Sequence, residues 1–210
     1  LIDPSGEWTN AIAYLRTKGI LSKVVYESLI VDANIQLSKR DIQILENELD
    51  FSKSILKKIG QSAARNSEIV ARLKPFLEKK SKILYFAPSI ENSKFITSLL
   101  TFLGFRAAHI DGSTHSRNRR QIISDYIQGD LDILCNYGVL ATGFDAPKTD
   151  VLCIARPTMS PVLYSQMIGR GLRGKAIGGT EKCTVIEVKD NFYGLGTQDE
   201  LYQHFDAYWS

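Results

Sequence analysis

The chain has 210 residues, 26 Lys and Arg against 23 Asp and Glu, and 44% apolar side chains. It is too apolar and too nearly neutral for a disordered chain. It also lacks the run of about 18 or more apolar residues that a spanning helix needs, its longest apolar stretches being short, as at 83–90 and 151–155. Asp3, Pro4 and Glu7 break the start where a signal peptide would carry its apolar core, and a first residue that is Leu1 rather than Met leads us to expect a piece of a longer protein. Cys135, Cys153 and Cys183 are odd in number, form no CxxC pair and sit in apolar runs, which argues for reduced core residues of a cytoplasmic protein and against zinc or thioredoxin-type chemistry. A net charge of +3 permits nucleic-acid binding without arguing for it.

Two textures follow one another along the chain. Residues 1–80 read as a mostly helical connecting or accessory segment: a helix over 7–18 closed by Gly19, one strand over 24–31, and a helix from Ser38 as N-cap to Leu49. A further helix carries Phe51, Ile55, Leu56 and Ile59 up to Gly60, and another carries Ile69, Leu73, Phe76 and Leu77 despite Pro75. From Lys82 strands and helices alternate. Strands are expected at 82–87, 105–110, 131–135, 151–155 and 183–188, with helices at 92–103, near 119–128 and at 161–170 between them. That alternation indicates βαβ units, a parallel sheet and helices on both faces. A domain over 81–190 and a tail over 191–210 complete the division, the aromatics Phe205, Tyr208 and Trp209 being expected to pack back on the core.

In an open parallel sheet, ligands bind at the loops after the carboxyl ends of strands. After the first strand of the second region comes Ala87-Pro88-Ser89-Ile90-Glu91-Asn92, where Ser89 or Asn92 could cap the next helix and favour an anion there. After the second comes Asp111-Gly112-Ser113-Thr114-His115-Ser116 with Arg117, Arg119 and Arg120, small hydroxyl residues and guanidiniums that suit a phosphodiester backbone. Three arginines at a helix start oppose the dipole and call for a bound phosphate or an acidic neighbour such as Asp125. The third loop, Asn136 to Pro147, carries Gly138, Gly143 and Asp145; the aspartate could take a hydrogen bond from a ribose or an arginine, or cap a turn. The fourth is Gln166-Met167-Ile168-Gly169-Arg170-Gly171-Leu172-Arg173-Gly174. If 164–173 is helical, Gln166, Arg170 and Arg173 share one face, and neighbouring guanidiniums need an anion such as a triphosphate between them. Gly169, Gly171 and Gly174 suggest backbone approaching a ligand.

In this order the loops resemble superfamily 2 helicases of the DEAD/DEAH type, close to bacterial and phage DNA-repair and restriction-type members. Thr142-Gly143-Phe144-Asp145-Ala146-Pro147 is similar to their motif V, Gln166 through Arg173 to the QxxGRxxR of motif VI, and Tyr85-Phe86-Ala87-Pro88-Ser89 stands at motif IV. The likeness covers 80–190 well and 1–80 loosely. It implies a second RecA-like domain in which Arg170 and Arg173 are arginine fingers on ATP, Arg173 the favoured one, with Gln166 at the nucleotide or attacking water. It further implies Asp145 at the ribose, Gly143 and Gly169 at the nucleotide, and Ser89, Gly112, Asn136, Tyr137 and Arg120 along a nucleic-acid strand, expected to be DNA. Asn136-Tyr137 departs from the Thr that many relatives carry at the start of motif V.

No GxxxxGK[ST] and no DExH or DExD box is present, Asp199-Glu200-Leu201 not being one. By the same resemblance those belong to a first RecA-like domain of the parent chain, which would hold most of the ATP and Mg2+; this chain alone is expected to be inactive, and to need no membrane. The alternative is a non-catalytic nucleic-acid-binding or partner-docking module of the same fold. A self-contained phosphate-ester enzyme is disfavoured because His109, His115 and His204 are not spaced as metal ligands with the carboxylates.

Overall fold

The computed structural model describes residues 11–48, 50–139 and 148–193. In chain order these form α1 (Ala11–Thr17), β1 (Lys23–Gln36), α2 (Lys39–Glu48), α3 (Lys53–Gln61), α4 (Ala63–Glu78), β2 (Ile83–Phe86), α5 (Ile90–Phe102), β3 (Ala107–Ile110), α6 (Ser116–Gln128), β4 (Ile133–Asn136), β5 (Val151–Ile154), α7 (Pro161–Gly171) and β6 (Lys182–Tyr193). The strands make one sheet in the order β1-β6-β5-β2-β4-β3, every neighbouring pair parallel. This is the RecA-like α/β arrangement, with helices on both faces.

The central strands ILYF, ILCN and VLCI are apolar at every position but Asn136 because both faces are covered. Leu84, Phe86, Leu134, Leu152 and Ile154 face Tyr126 of α6 and Tyr164, Met167 and Ile168 of α7. The alternate residues Ile83, Tyr85, Ile133, Cys135, Val151 and Cys153 face Ile69 and Leu73 of α4 and Ile96 and Leu100 of α5. The helices begin where the sequence supplies acceptors: Ser52, Ser62, Ser89 and Ser160 each cap the first turn that follows them. Ser38 and Asp41 bond reciprocally at the start of α2, the Ser38 hydroxyl accepting from the Asp41 N–H and the Asp41 carboxylate from the Ser38 N–H. Pro75 falls late in α4, which continues past it because Leu73 and Leu77 are buried on either side.

Residues 11–80 contribute more to the sheet than a connecting segment would. The strand expected at 24–31 runs from Lys23 to Gln36 and pairs along most of its length with β6, with an irregularity between Val31 and Ile35. α4 packs on the same sheet face as α5. Its Arg65 is fully buried and bonds the carboxylate of Asp190 on β6 through Nε and Nη2, while Nη2 also donates to the Ala155 carbonyl at 2.6 Å. α2 and α3 enclose a satellite core of Ile35, Leu37, Leu45, Phe51, Ile55, Leu56 and Ile59 beyond the sheet. The three cysteines are buried free thiols, and burial pushes each of them up to about 12. Among the described residues no helix is long and apolar enough to cross a membrane. The tail beyond Tyr193 lies outside the described residues.

Candidate functional site at the carboxyl edge of the sheet

The chain leaves β2 toward β3 on one side and leaves β5 toward β6 on the other, so a crevice opens at the carboxyl ends between β2 and β5. α7 rises from that edge. Ser160 caps it by accepting from the Leu163 N–H at 3.3 Å, and Pro161 supplies the fixed φ of a first helical residue. Tyr164, Met167 and Ile168 bury one side of the helix against the sheet, which leaves Gln166 and Arg170 half-buried and Gly169 exposed. Gln166 and Arg170 stand one turn apart, as their spacing requires.

The helix does not carry Arg173, because it ends at Gly171. A Cβ on Gly171 would lie 2.5 Å from the Leu152 side chain, so this glycine serves helix-to-strand packing rather than a ligand. The chain then turns to meet the segment after α1. Arg173 forms an antiparallel bridge with Leu21, and its carbonyl accepts from the Ser22 hydroxyl at 2.7 Å and the Thr180 N–H at 2.8 Å. A Cβ on Gly174 would sit 2.1 Å from the Gly19 carbonyl oxygen. Two of the three glycines expected at a ligand are therefore packing glycines; only Gly169 faces open space. The backbone of Arg173 is pinned to the amino-terminal segment, a restraint that no helical spacing would have announced.

The loop after β3 is rigid by internal bonding. The Asp111 carboxylate accepts from the Ser113 N–H (2.7 Å), the Ser113 hydroxyl (2.6 Å) and the Thr114 N–H (3.1 Å). Burial raises the Asp111 pKa, but the bonds from Ser113 and His109 outweigh it and hold the carboxyl well below the usual carboxylate range. Arg119 Nη2 donates to the carbonyls of Asp111, Gly112 and Thr114, so this arginine is compensated by the loop itself, and Asp125 accepts from Gln121 instead. Gly112, Arg117 and Arg120 remain exposed on this loop and the first turn of α6.

The other expected strand contacts divide by burial. Ser89 is buried beneath α3, where a Cβ on Gly60 would come within 3.2 Å of its Oγ, and that hydroxyl caps α5 by accepting from the Asn92 N–H. Asn136 is buried at the end of β4 and donates through Nδ2 to the Tyr85 carbonyl, while its Oδ1 has no protein partner. Tyr137 is half-buried, and the guanidinium of Arg156 stands 5.5 Å over its ring. Arg156 lies two residues past the end of β5, and its Nε is likewise buried without a protein partner; Arg156 and Asn136 line one small cavity of about 10 Å³ with Phe86, Ala87, Gly138, Leu163 and Met167. The sequence stretch Ala155-Arg156-Pro157-Thr158 belongs to the helicase likeness, but the sequence reading gives Arg156 no role at the site, although the carboxyl-end rule alone points to it. Gly143 and Asp145 lie outside the described residues. A larger cleft of about 290 Å³ between α3, α4 and α5 lies apart from the guanidiniums, and its Asn66 and Asn92 amides already bond each other and the Gly60 carbonyl. Among the described residues no three His, Cys, Asp or Glu side chains converge as metal ligands.

With this geometry in place, comparison with known proteins identifies the class. Residues 66–175, just over half the chain, match the helicase conserved C-terminal domain, and the chain belongs to that family. A relative described as the putative mitochondrial ATP-dependent helicase irc3 of Schizosaccharomyces pombe is 31% identical over 183 residues, covering 81% of this chain and 30% of its own length. Among solved structures, a DEAD box protein from Methanococcus jannaschii superposes with TM-score 0.57 at 18% identity, covering 97% of this chain and 47% of that one. The helicase MrfA, solved bound to DNA and AMPPNP, superposes with TM-score 0.57 at 20% identity over 69% of this chain and 20% of its own. The chain spans less than a third of the length of the curated relatives it matches.

Proposed function

We propose that this chain is the second motor domain of an ATP-dependent nucleic-acid helicase or translocase, working in a reducing, cytoplasmic-type compartment on DNA. The observation that carries the reading is the α7 edge: Gln166 and Arg170 on one helical face and Arg173 just beyond it on a pinned backbone. ATP and its Mg2+ are held mainly by a P-loop-bearing first domain. From this chain, Arg170 and Arg173 supply guanidinium forks to the charge that develops on the γ-phosphate, and Gln166 orients the water or the nucleotide. The exposed glycine at 169 lets the first domain approach closely, and Gly143 and Asp145 complete the nucleotide side. Gly112, Arg120 and Tyr137 face the strand, while Ser89 and Asn136, being buried, shape its floor. MrfA, a helicase of the same fold, has been solved bound to DNA and AMPPNP, the two classes of ligand this reading calls for.

The test is ATP hydrolysis by the 210-residue chain alone, with and without single- and double-stranded DNA, and by a two-domain motor containing it. The chain alone is expected to be inactive. In the motor, Arg173→Ala is expected to abolish turnover and spare nucleotide binding. DNA-stimulated turnover by the chain alone, or equal loss of binding and turnover in Arg173→Ala, would refute the reading. Undiminished turnover in the Arg173→Ala motor would favour the alternative of a non-catalytic nucleic-acid-binding or partner-docking module.

A further inference from the structure

α3 touches both turns that border the crevice. In the turn that leads into it, two residues before the Ser52 cap, the Asp50 carboxylate accepts from the Phe51 N–H (2.8 Å), the Met159 N–H (2.9 Å) and the Thr158 hydroxyl (3.1 Å). Thr158 is buried, and its Oγ1 accepts in turn from the Ser160 N–H at 3.1 Å. Ser160 is the cap of α7, so Asp50, Thr158 and Ser160 form an unbroken relay into the first turn of the arginine-bearing helix. At its end, α3 lies against the turn after β2: a Cβ on Gly60 would fall 2.9 Å from Asn92 Cβ and 3.3 Å from Pro88 Cγ. The Gly60 carbonyl accepts from Asn66 and Asn92, and Asn92 Oδ1 accepts from the Tyr85 hydroxyl at 2.8 Å. Between these anchors Ile55, Leu56 and Ile59 are fully buried, so α3 is held along its length and not only at its tips.

We propose that α3 is a strap coupling the β2–α5 turn to the β5–α7 turn, and that Asp50 and Thr158 are positioning residues that set α7, and with it Arg170, against the crevice. The strap acts through the cap of α7. A displacement of the β2–α5 turn by a bound strand is passed along α3 to the helix that faces ATP. The link to turnover rests on the arginine reading above, whereas the coupling of α3 to α7 stands apart from it.

The first experiment is amide hydrogen exchange on the 210-residue chain carrying Asp50→Ala, Asp50→Asn or Thr158→Val. The α7 amides are expected to exchange about tenfold faster in Asp50→Ala and Thr158→Val, with α5 and α6 unchanged. Asp50→Asn keeps one acceptor and should lose less. Unchanged α7 amides, or equal acceleration of every segment, would overturn the coupling. Thr158→Val conserves volume and keeps the test alive should Asp50→Ala fold poorly. The second experiment measures kcat and KM for ATP in the two-domain motor with Thr158→Val. A fall in kcat of about tenfold at unchanged KM supports the positioning role, and an unchanged kcat overturns it. Arg170→Ala run in parallel separates the two ideas: if it leaves turnover intact, the arginine reading fails while the exchange result still decides the strap.

Discussion

Replacing Arg65 by Met should unfold the carboxyl edge of the sheet from within. Arg65 and Asp190 are both fully excluded from solvent, and the guanidinium also satisfies the Ala155 carbonyl where β5 gives way to the crevice. Removing one partner of such a pair costs about 3–5 kcal/mol, because the remaining charge is buried and uncompensated. The orphaned Ala155 carbonyl lies within the same change, which places the expected loss near the upper end. Set against a total stability of about 5–15 kcal/mol, this is a large fraction. In urea, with a slope of about 2 kcal/mol/M, the midpoint should fall by roughly 2 M. The pH dependence carries a second signature. Burial already pushes the Asp190 carboxyl upward against the pull of Arg65, and without the guanidinium it rises further. The folded variant then holds a proton that the unfolded chain releases, so its stability increases as pH falls from the raised value toward the ordinary carboxylate range, and the deficit at pH 5 should be smaller than at pH 7. Arg65→Met/Asp190→Leu removes both charges and should recover most of the loss, leaving about 1–3 kcal/mol for the carbonyl. A midpoint shift in Arg65→Met below about 0.5 M, or a double variant no more stable than the single, would refute the reasoning.

Three further outcomes are expected. Asp41 is held down to about 2, first by the hydrogen bond from Lys58 and then by Ser38, so it contributes stability above about pH 4 that is lost as pH falls toward 2; acid titration of Asp41→Asn by circular dichroism should show a flatter curve over that window. Cys135, Cys153 and Cys183, pushed up to about 12 by burial, should resist iodoacetamide at pH 8 in the folded chain and react together once urea unfolds it; rapid native labelling of any of them would contradict the packing. Gly169→Ala should stabilise the isolated chain by about 0.5–1 kcal/mol, since a helical glycine with nothing within 4 Å gains from a methyl, whereas Gly171→Ala should cost about 1–3 kcal/mol against Leu152; thermal melts of the two variants decide it, and equal losses would mean the α7 packing is misassigned.

What was legible in the sequence was what depends on local chemistry. Continuous apolar runs bounded by turn residues locate the inner strands, Ser38 marks the start of α2, and the order of the loops leads to the helicase class, whereas the caps at Ser52, Ser62 and Ser160 emerge only in the structure. What was not legible depends on partners far along the chain. The strand at 24–31 read as one element in a helical segment because nothing within it states that it will pair with 182–193, more than 150 residues away. The helix expected at 161–170 is α7, but the condition that would put Arg173 on one face with Gln166 and Arg170 is not met, because the helix ends at Gly171, where Leu152 fits beneath that residue and Leu21 bridges to Arg173. The same distance hid Asp50, whose sequence context is an ordinary helix boundary and whose bonds reach Thr158 and Met159. Residues before 80 resembled the family loosely, yet they supply the β1 edge of the sheet, the Arg65 anchor and the contacts to both turns of the crevice. The physical consequence is that substitutions in this segment should perturb the arginine helix as readily as substitutions beside it, and a scan of α7 exchange rates across variants of 37–66 would measure how far that influence extends.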